Sequence, residues 1–234
     1  MSSAMIGPSV AYIIASVIAY FINWKLSLII PALILLAYSV MFRRIGISKK
    51  ITEFDFNFLK NSNAWFIGIS YFFFYAIYRG FLVWMPTFLY EKTNLYLFSS
   101  LFSSVLSAIG ALLGYLGYYI SLRLYNGEMK RVIAYSMLTA IPLCLAMKYS
   151  EGIYQLIWLF LFYVLLSLPL WLYFIYPPKA FPIGIVGTVT GFIDSLGYLG
   201  NFAGTMYSTT SGELFYIMAG FLLLGGLFSL LIRE

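Results

Sequence analysis

Two charged residues stand inside long apolar stretches of this 234-residue chain, Arg79 and Asp194. In a medium that cannot solvate charge, each needs a partner or a wet cavity. A guanidinium presents a planar fork of N–H donors that matches a phosphate or a carboxylate. A carboxylate at the same depth can take up a proton or a cation. The two can also satisfy each other as a structural ion pair. Three readings therefore stand: Arg79 as an anion ligand, Asp194 as a coupling residue, and an Arg79–Asp194 pair. The first two are compatible.

Phenols accompany the arginine. Tyr71, Tyr75 and Tyr78 are spaced by four and three, which puts them on one helical face, and Arg79 lies one turn beyond Tyr75. Phenols beside a guanidinium suit a polar anion. Aromatic packing with internally satisfied hydroxyls produces the same spacing. Asn201 and Thr205 add polar groups to the stretch that holds Asp194. The candidate substrate-binding residues are thus Arg79, Tyr75, Tyr78 and Asn201, with Asp194 for coupling or ion pairing.

Other chemistries lack their residues. The chain has no histidine, so there is no Ser-His or Cys-His dyad and no histidine metal ligand. Its one cysteine, Cys144, sits in an apolar stretch and reads as a small core side chain. No G-x-x-x-x-G-K-[ST] phosphate loop occurs. The nearest serine–lysine pairing, Ser121 with Lys130, falls at a loop. No catalytic residue, metal or cofactor is expected, and the chain does not read as an enzyme.

The elements that must position these residues follow from composition. Hydrophobic residues make up 62% of the chain and charged residues 9%, against about 45–50% and about 25% in soluble domains. That balance excludes a soluble enzyme or a nucleic-acid binder. It fits an all-α, polytopic membrane bundle whose contacts are membrane lipid and a small solute. Apolar stretches give about eight spans, roughly 5–23, 27–43, 63–89, 96–122, 131–148, 153–176, 183–208 and 213–232. The loop over residues 44–62 is basic and polar with interleaved Phe54, Phe56 and Phe58. It reads as a cytoplasmic linker, either plain or carrying a short amphipathic segment on the membrane surface.

Charge then sets orientation. With a cytoplasmic N-terminus, Arg43, Arg44, Lys49, Lys50, Lys60, Arg123, Lys130, Arg131, Lys179 and Arg233 all fall inside, and Lys25, Lys92 and Lys148 fall outside. The positive-inside rule therefore places both termini in the cytoplasm of a multi-pass cell-membrane protein. It also accounts for most of the +6 net charge without an anionic ligand.

Small residues mark close helix contacts. The first span carries Gly7, Ala11, Ala15 and Ala19, and the fourth offers Ser103, Ser107, Gly110, Gly114 and Gly117 as a matching face. The seventh carries Gly187, Gly191, Gly197, Gly200 and Gly204. The fourth and seventh spans are each the middle of a three-helix set, 3–5 and 6–8, and the sets begin on opposite membrane sides. Inverted three-helix units are the mark of a half-transporter.

At these residues the chain resembles the major facilitator superfamily. The run Tyr78-Arg79-Gly80-Phe81-Leu82-Val83-Trp84-Met85-Pro86-Thr87-Phe88-Leu89 is similar to the end of helix seven in the organophosphate antiporter and anion symporter branches. Gly187-Thr188-Val189-Thr190-Gly191, followed by Gly197-Tyr198-Leu199-Gly200-Asn201-Phe202-Ala203-Gly204, resembles their helix eleven. Asn23-Trp24-Lys25, Pro31-Ala32 and Arg43 resemble the turn between helices five and six. The chain departs from the pattern in two places. Ser121 stands where the loop after helix eight often carries an acid, and the family's phosphate-binding arginine aligns with Tyr78, one residue before Arg79. One residue turns a helical side chain by about 100°.

The resemblance implies a partial fold corresponding to helices five through twelve. Residues 1–43 would be two helices of the N-terminal bundle, 44–62 a cytoplasmic linker, and 63–234 a six-helix C-terminal bundle. It implies alternating-access transport of a small organic anion, such as a sugar phosphate or carboxylate, with a coupling ion. The alternative is a truncated or split transporter without autonomous activity, whose missing N-terminal helices come from a separate chain. In that case the glycine face of the seventh span would lose its usual partner.

Overall fold

The computed structural model describes residues 13–15, 17–45, 56–207 and 213–233. The described regular structure is helical. Residues 13–15 and 17–21 are helical and turn through Asn23 and Trp24 into α1 (Leu26–Ile45). Asn23 Oδ1 accepts from the Lys25 N–H at 2.9 Å, which fixes that turn. The bundle proper comprises α2 (Ser62–Thr93), α3 (Tyr96–Leu124), α4 (Met129–Tyr149), α5 (Gly152–Ser167), α6 (Leu172–Ala180), α7 (Val186–Tyr207) and α8 (Leu214–Leu230).

Local chemistry sets several boundaries. Asn61 caps α2 by accepting from the Asn63 N–H at 2.9 Å. The helix ends where Asn94 turns left-handed, at φ 56°. Asn126 and Gly127, at φ 52° and 87°, make the tight reversal from α3 to α4.

Four helical segments among the described residues are long and apolar enough to cross a membrane: Ser62–Thr93, Leu97–Leu124, Met129–Tyr149 and Gly152–Ala180. The protein is therefore an all-α, multi-span integral membrane protein. Helix α7 is long enough, but Thr188, Thr190, Asp194, Asn201 and its five glycines make it too polar on average for that set. Residues 5–12 of the first expected span and 46–55 of the expected linker lie outside the described residues. The described end of the linker is a short 3-10 turn, Asn57–Lys60. It is anchored by buried Phe58, edge-on to Phe192 at 5.4 Å, and by the Trp65 Nε1–H bond to the Leu59 carbonyl at 2.9 Å.

The sixth expected span, 153–176, is two helices. Pro169 has no N–H to give and crowds the turn before it. Around it the backbone tightens to i→i−3 bonds, with Leu168 donating to Leu165, Leu170 to Ser167 and Leu172 to Pro169. The indole of Trp171 swings across and donates to the Ala111 carbonyl of α3 at 2.9 Å. The break is thus buried in protein, where irregular backbone within a membrane is tolerated.

Helix α2 is the central post and packs against α3, α5, α7 and α8. The glycine stripes find partners different from those the sequence suggested. On α7, Gly200 and Gly204 lie directly against the α2 backbone, where a Cβ would overlap the Phe72 and Ala76 carbonyls. Gly197 receives the Tyr71 ring. The C-terminal part of the α7 glycine face, from Gly197 to Gly204, therefore has a partner within the chain. On α3, Gly110 faces Tyr163 and Ser167, Gly114 faces Trp171, and Gly117 faces the Leu168 carbonyl. That face is covered by α5 and the α5–α6 break rather than held open for the first span. Gly187 and Gly191 have open space around them.

Helix α1 contrasts with this bundle. Leu28, Leu35 and Met41 are 65%, 67% and 65% exposed, whereas Phe74 and Leu222 are fully buried. The apolar surface of α1 is left to lipid or to further helices.

Candidate functional site

Arg79 lies near the middle of the 32-residue α2 and is half-buried. Its side chain runs back along the helix, as helical side chains do. Nε donates to the Tyr75 hydroxyl at 2.9 Å, and the guanidinium carbon stands 5.5 Å from the Tyr75 ring centroid. One phenol one turn away thus both accepts from the cation and offers it a π-face. Tyr75 is itself held on two sides. It stacks on Tyr71 at 5.0 Å and meets Tyr198 of α7 edge-on at 5.8 Å.

Asp194 lies one turn before Tyr198 on α7 and is half-buried. Arg79 and Asp194 make no ion pair within 4 Å. Register explains the gap. Helices α2 and α7 run parallel, and Gly204 lies between Ala76 and Gly80. Arg79 is therefore level with the last turn of α7. Asp194 is ten residues before Gly204, about 15 Å along the axis. Backward reach of the arginine shortens this distance without closing it.

Asn201 comes one turn after Tyr198. Its side-chain carbonyl oxygen is buried and has no hydrogen-bond partner. An amide in that condition retains unused capacity for a polar group. Thr205 has spent its hydroxyl on its own helix, donating to the Asn201 carbonyl at 3.0 Å.

Tyr78 goes elsewhere. It is fully buried between Phe74 and Tyr163, with centroids at 5.4 and 5.6 Å, and its hydroxyl meets that of Tyr163 at 3.0 Å. Residues 75 and 79 share one edge of α2, while 78 points into the bundle toward α5. The structure thus brings together Arg79 and Tyr75, places Asp194 and Asn201 on the neighbouring helix, and sets Tyr78 apart in the core. Tyr198 was missed by sequence reasoning. Its signal was present in the 194, 198, 201 spacing, which puts it on one helical face with Asp194 and Asn201. Cys144 is buried and donates weakly to the Phe215 carbonyl at 3.4 Å, as a core side chain. Among the described residues, no group of three or more His, Cys, Asp or Glu is arranged to hold a metal.

A bundle with four helices long and apolar enough to cross a membrane defines a class, the multi-pass integral membrane proteins. A family model described as the Major Facilitator Superfamily matches residues 1–205. The chain belongs to that superfamily, whose members are transporters and not enzymes. No curated protein matches the chain.

Proposed function

We propose that this protein is a secondary transporter of a small organic anion, a sugar phosphate or a carboxylate, working by alternating access. The observation that carries the reading is Arg79. It is a guanidinium at mid-helix, oriented by Tyr75 and within ion-pair distance of no carboxylate among the described residues. Its fork can close on the anionic end of a solute. Asn201 can meet a hydroxyl or second oxygen, and Asp194 can carry the coupling proton or cation. Tyr78 supports this edge from the core by fixing α2 against α5. The resemblance to organophosphate antiporters and anion symporters points to the same substrate class. In this reading residues 1–43 are two helices of an N-terminal bundle, 44–62 a cytoplasmic linker and 63–234 the six-helix C-terminal bundle. The basic end faces the cytoplasm, as do both termini.

The test is uptake of glycerol phosphate or a dicarboxylate into proteoliposomes. Arg79→Lys keeps the charge and removes the fork. KM should rise about tenfold, the worth of a lost charge-assisted bond, with insertion unchanged. An unaltered KM would remove Arg79 from the binding site.

A second reading is favoured by α1, whose apolar side chains stay exposed, and by the Arg79 edge, which has one wall among the described residues. The transport cycle then requires a further helical bundle supplied by a separate chain. Saturable uptake by this chain alone would overturn that alternative.

A further inference from the structure

The two ends of the bundle formed by α2 to α8 carry unlike charge. The end where α2, α4 and α7 begin holds Lys60, Arg123, Lys130, Arg131, Lys179 and Arg233. Among the described residues its one carboxylate is Glu128, already paired with Arg131 at 2.6 Å. At the other end Lys92 and Lys148 are mixed with Glu91, Glu151 and Glu213.

The basic end also contains a cavity of about 300 Å³, lined by Asn63, Met129, Tyr176, Lys179 and Arg233. Its walls are fixed by an unusual set of bonds to the segment that follows α8. Asn63 donates through Nδ2 to the Arg233 carbonyl at 2.9 Å and accepts from the Arg233 N–H at 3.0 Å. The Tyr176 hydroxyl donates to the same carbonyl at 3.3 Å, and Lys130 Nζ donates to the Ile232 carbonyl at 3.1 Å. Three helices therefore clamp the backbone that carries Arg233. Lys179, from the last turn of α6, stands 5.2 Å from the Tyr118 ring and makes no ion pair. Arg233 likewise makes none among the described residues. No acid among the described residues lines the cavity. Among the described residues these two exposed cations have no counter-ion, and a rigid recess between them suits an anion with several acceptor oxygens.

Position narrows the source of that anion. The cavity lies at the level of the helix ends, Asn63 being the second residue of α2 and Met129 the first of α4. Helix ends in a membrane protein lie among the headgroups, where lipid phosphates are concentrated. We propose that this cavity binds the phosphate of an anionic phospholipid, held by Lys179 and Arg233. The site is separate from the Arg79 edge and does not depend on which solute is moved. The lipid ties α2, α4, α6 and the segment after α8 together at one end of the bundle.

Native mass spectrometry of the full chain in mild detergent tests this, with phosphatidylglycerol, phosphatidylcholine and inorganic phosphate as probes. Phosphatidylglycerol should be retained over phosphatidylcholine. The double variant Lys179→Gln/Arg233→Gln should weaken its retention about thirtyfold, the equivalent of about 1 kcal/mol per cation. The opposite-end pair Lys92→Gln/Lys148→Gln should leave retention unchanged. Equal retention of the two lipids, an unaffected double variant, or an equal loss in the opposite-end pair would each overturn the assignment. Displacement of phosphatidylglycerol by an equal concentration of inorganic phosphate would reassign the cavity to a soluble anion and overturn the lipid source. Should the double variant fail to fold, a photoactivatable phosphatidylglycerol on the native chain decides. Adducts on α6 and residues 231–233 support the site, and adducts spread over both ends refute it.

Discussion

One helix carries two phenol systems only three residues apart, and they are built for opposite purposes. Tyr78 is sealed between Phe74 and Tyr163 with its hydroxyl bonded to a second phenol at 3.0 Å. Tyr75 is buried too, at 3% exposed, but its hydroxyl is bonded to the half-buried Arg79 guanidinium at 2.9 Å. The first system closes on itself and leaves nothing for a solute. The second holds a cation whose remaining donors have no carboxylate within ion-pair distance among the described residues. A sealed polar pair gives a membrane bundle a fixed arrangement, while the second pair is the one that the proposed function uses to bind.

The largest effect should come from emptying the sealed system. Tyr163→Ala removes a fully buried ring that stacks on Tyr78, meets Phe81, and fills the space against Gly110. Aromatic-to-alanine changes in cores cost about 3–5 kcal/mol. Thermal unfolding in detergent should show that loss. A change within about 1 kcal/mol would mean that the α2–α5 contact is not a rigid core.

Next comes the seam that joins the sealed helix to the edge. A Cβ at Gly204 would overlap the Ala76 carbonyl, which belongs to backbone and has nowhere to turn. Gly204→Val should cost about 3 kcal/mol, the upper part of the overpacking range. Gly187→Ala, with open space around it, should cost little. Equal stability of the two variants would break the claim that the α7 stripe is divided into a packed part and an open part.

That division shows what sequence reasoning reached and where it stopped. The all-α membrane character, the small-residue stripes on α3 and α7 and the pairing of Tyr75 with Arg79 were legible, because spacing along one helix fixes which side chains share a face. Partners across helices were not. The stripe on α3 says that something comes close, without saying that it is the Leu168 carbonyl and Trp171. The break at Pro169 was hidden because the apolar run continues through it, and proline inside a membrane helix often costs only a kink. Asp194 looked level with Arg79 when depth was counted from each helix end. The Gly204 register separates them, and no spacing within one helix encodes that register.

The smallest predicted effects separate the two phenol systems most directly, because they remove one oxygen and keep each ring. Tyr78→Phe leaves the Tyr163 hydroxyl facing a hydrocarbon ring. Hydrogen bonds between membrane helices average about 0.6 kcal/mol and reach about 1.7. Burial of both hydroxyls puts this one above the average, so unfolding should register a loss of about 1 kcal/mol, with solute affinity unchanged. Tyr75→Phe removes a bond to a half-buried guanidinium, for which water can replace the lost phenol, and should cost less than about 0.5 kcal/mol. It also frees the guanidinium to rotate. If the edge binds an anion, the orientation of the fork is what Tyr75 contributes, and KM should rise about threefold to tenfold at constant stability. Arg79 needs its geometry only while the fork is in use, so the two variants should move opposite readouts. If both variants shift stability and neither shifts KM, the edge is a packing contact like the core, and the distinction between the two systems fails.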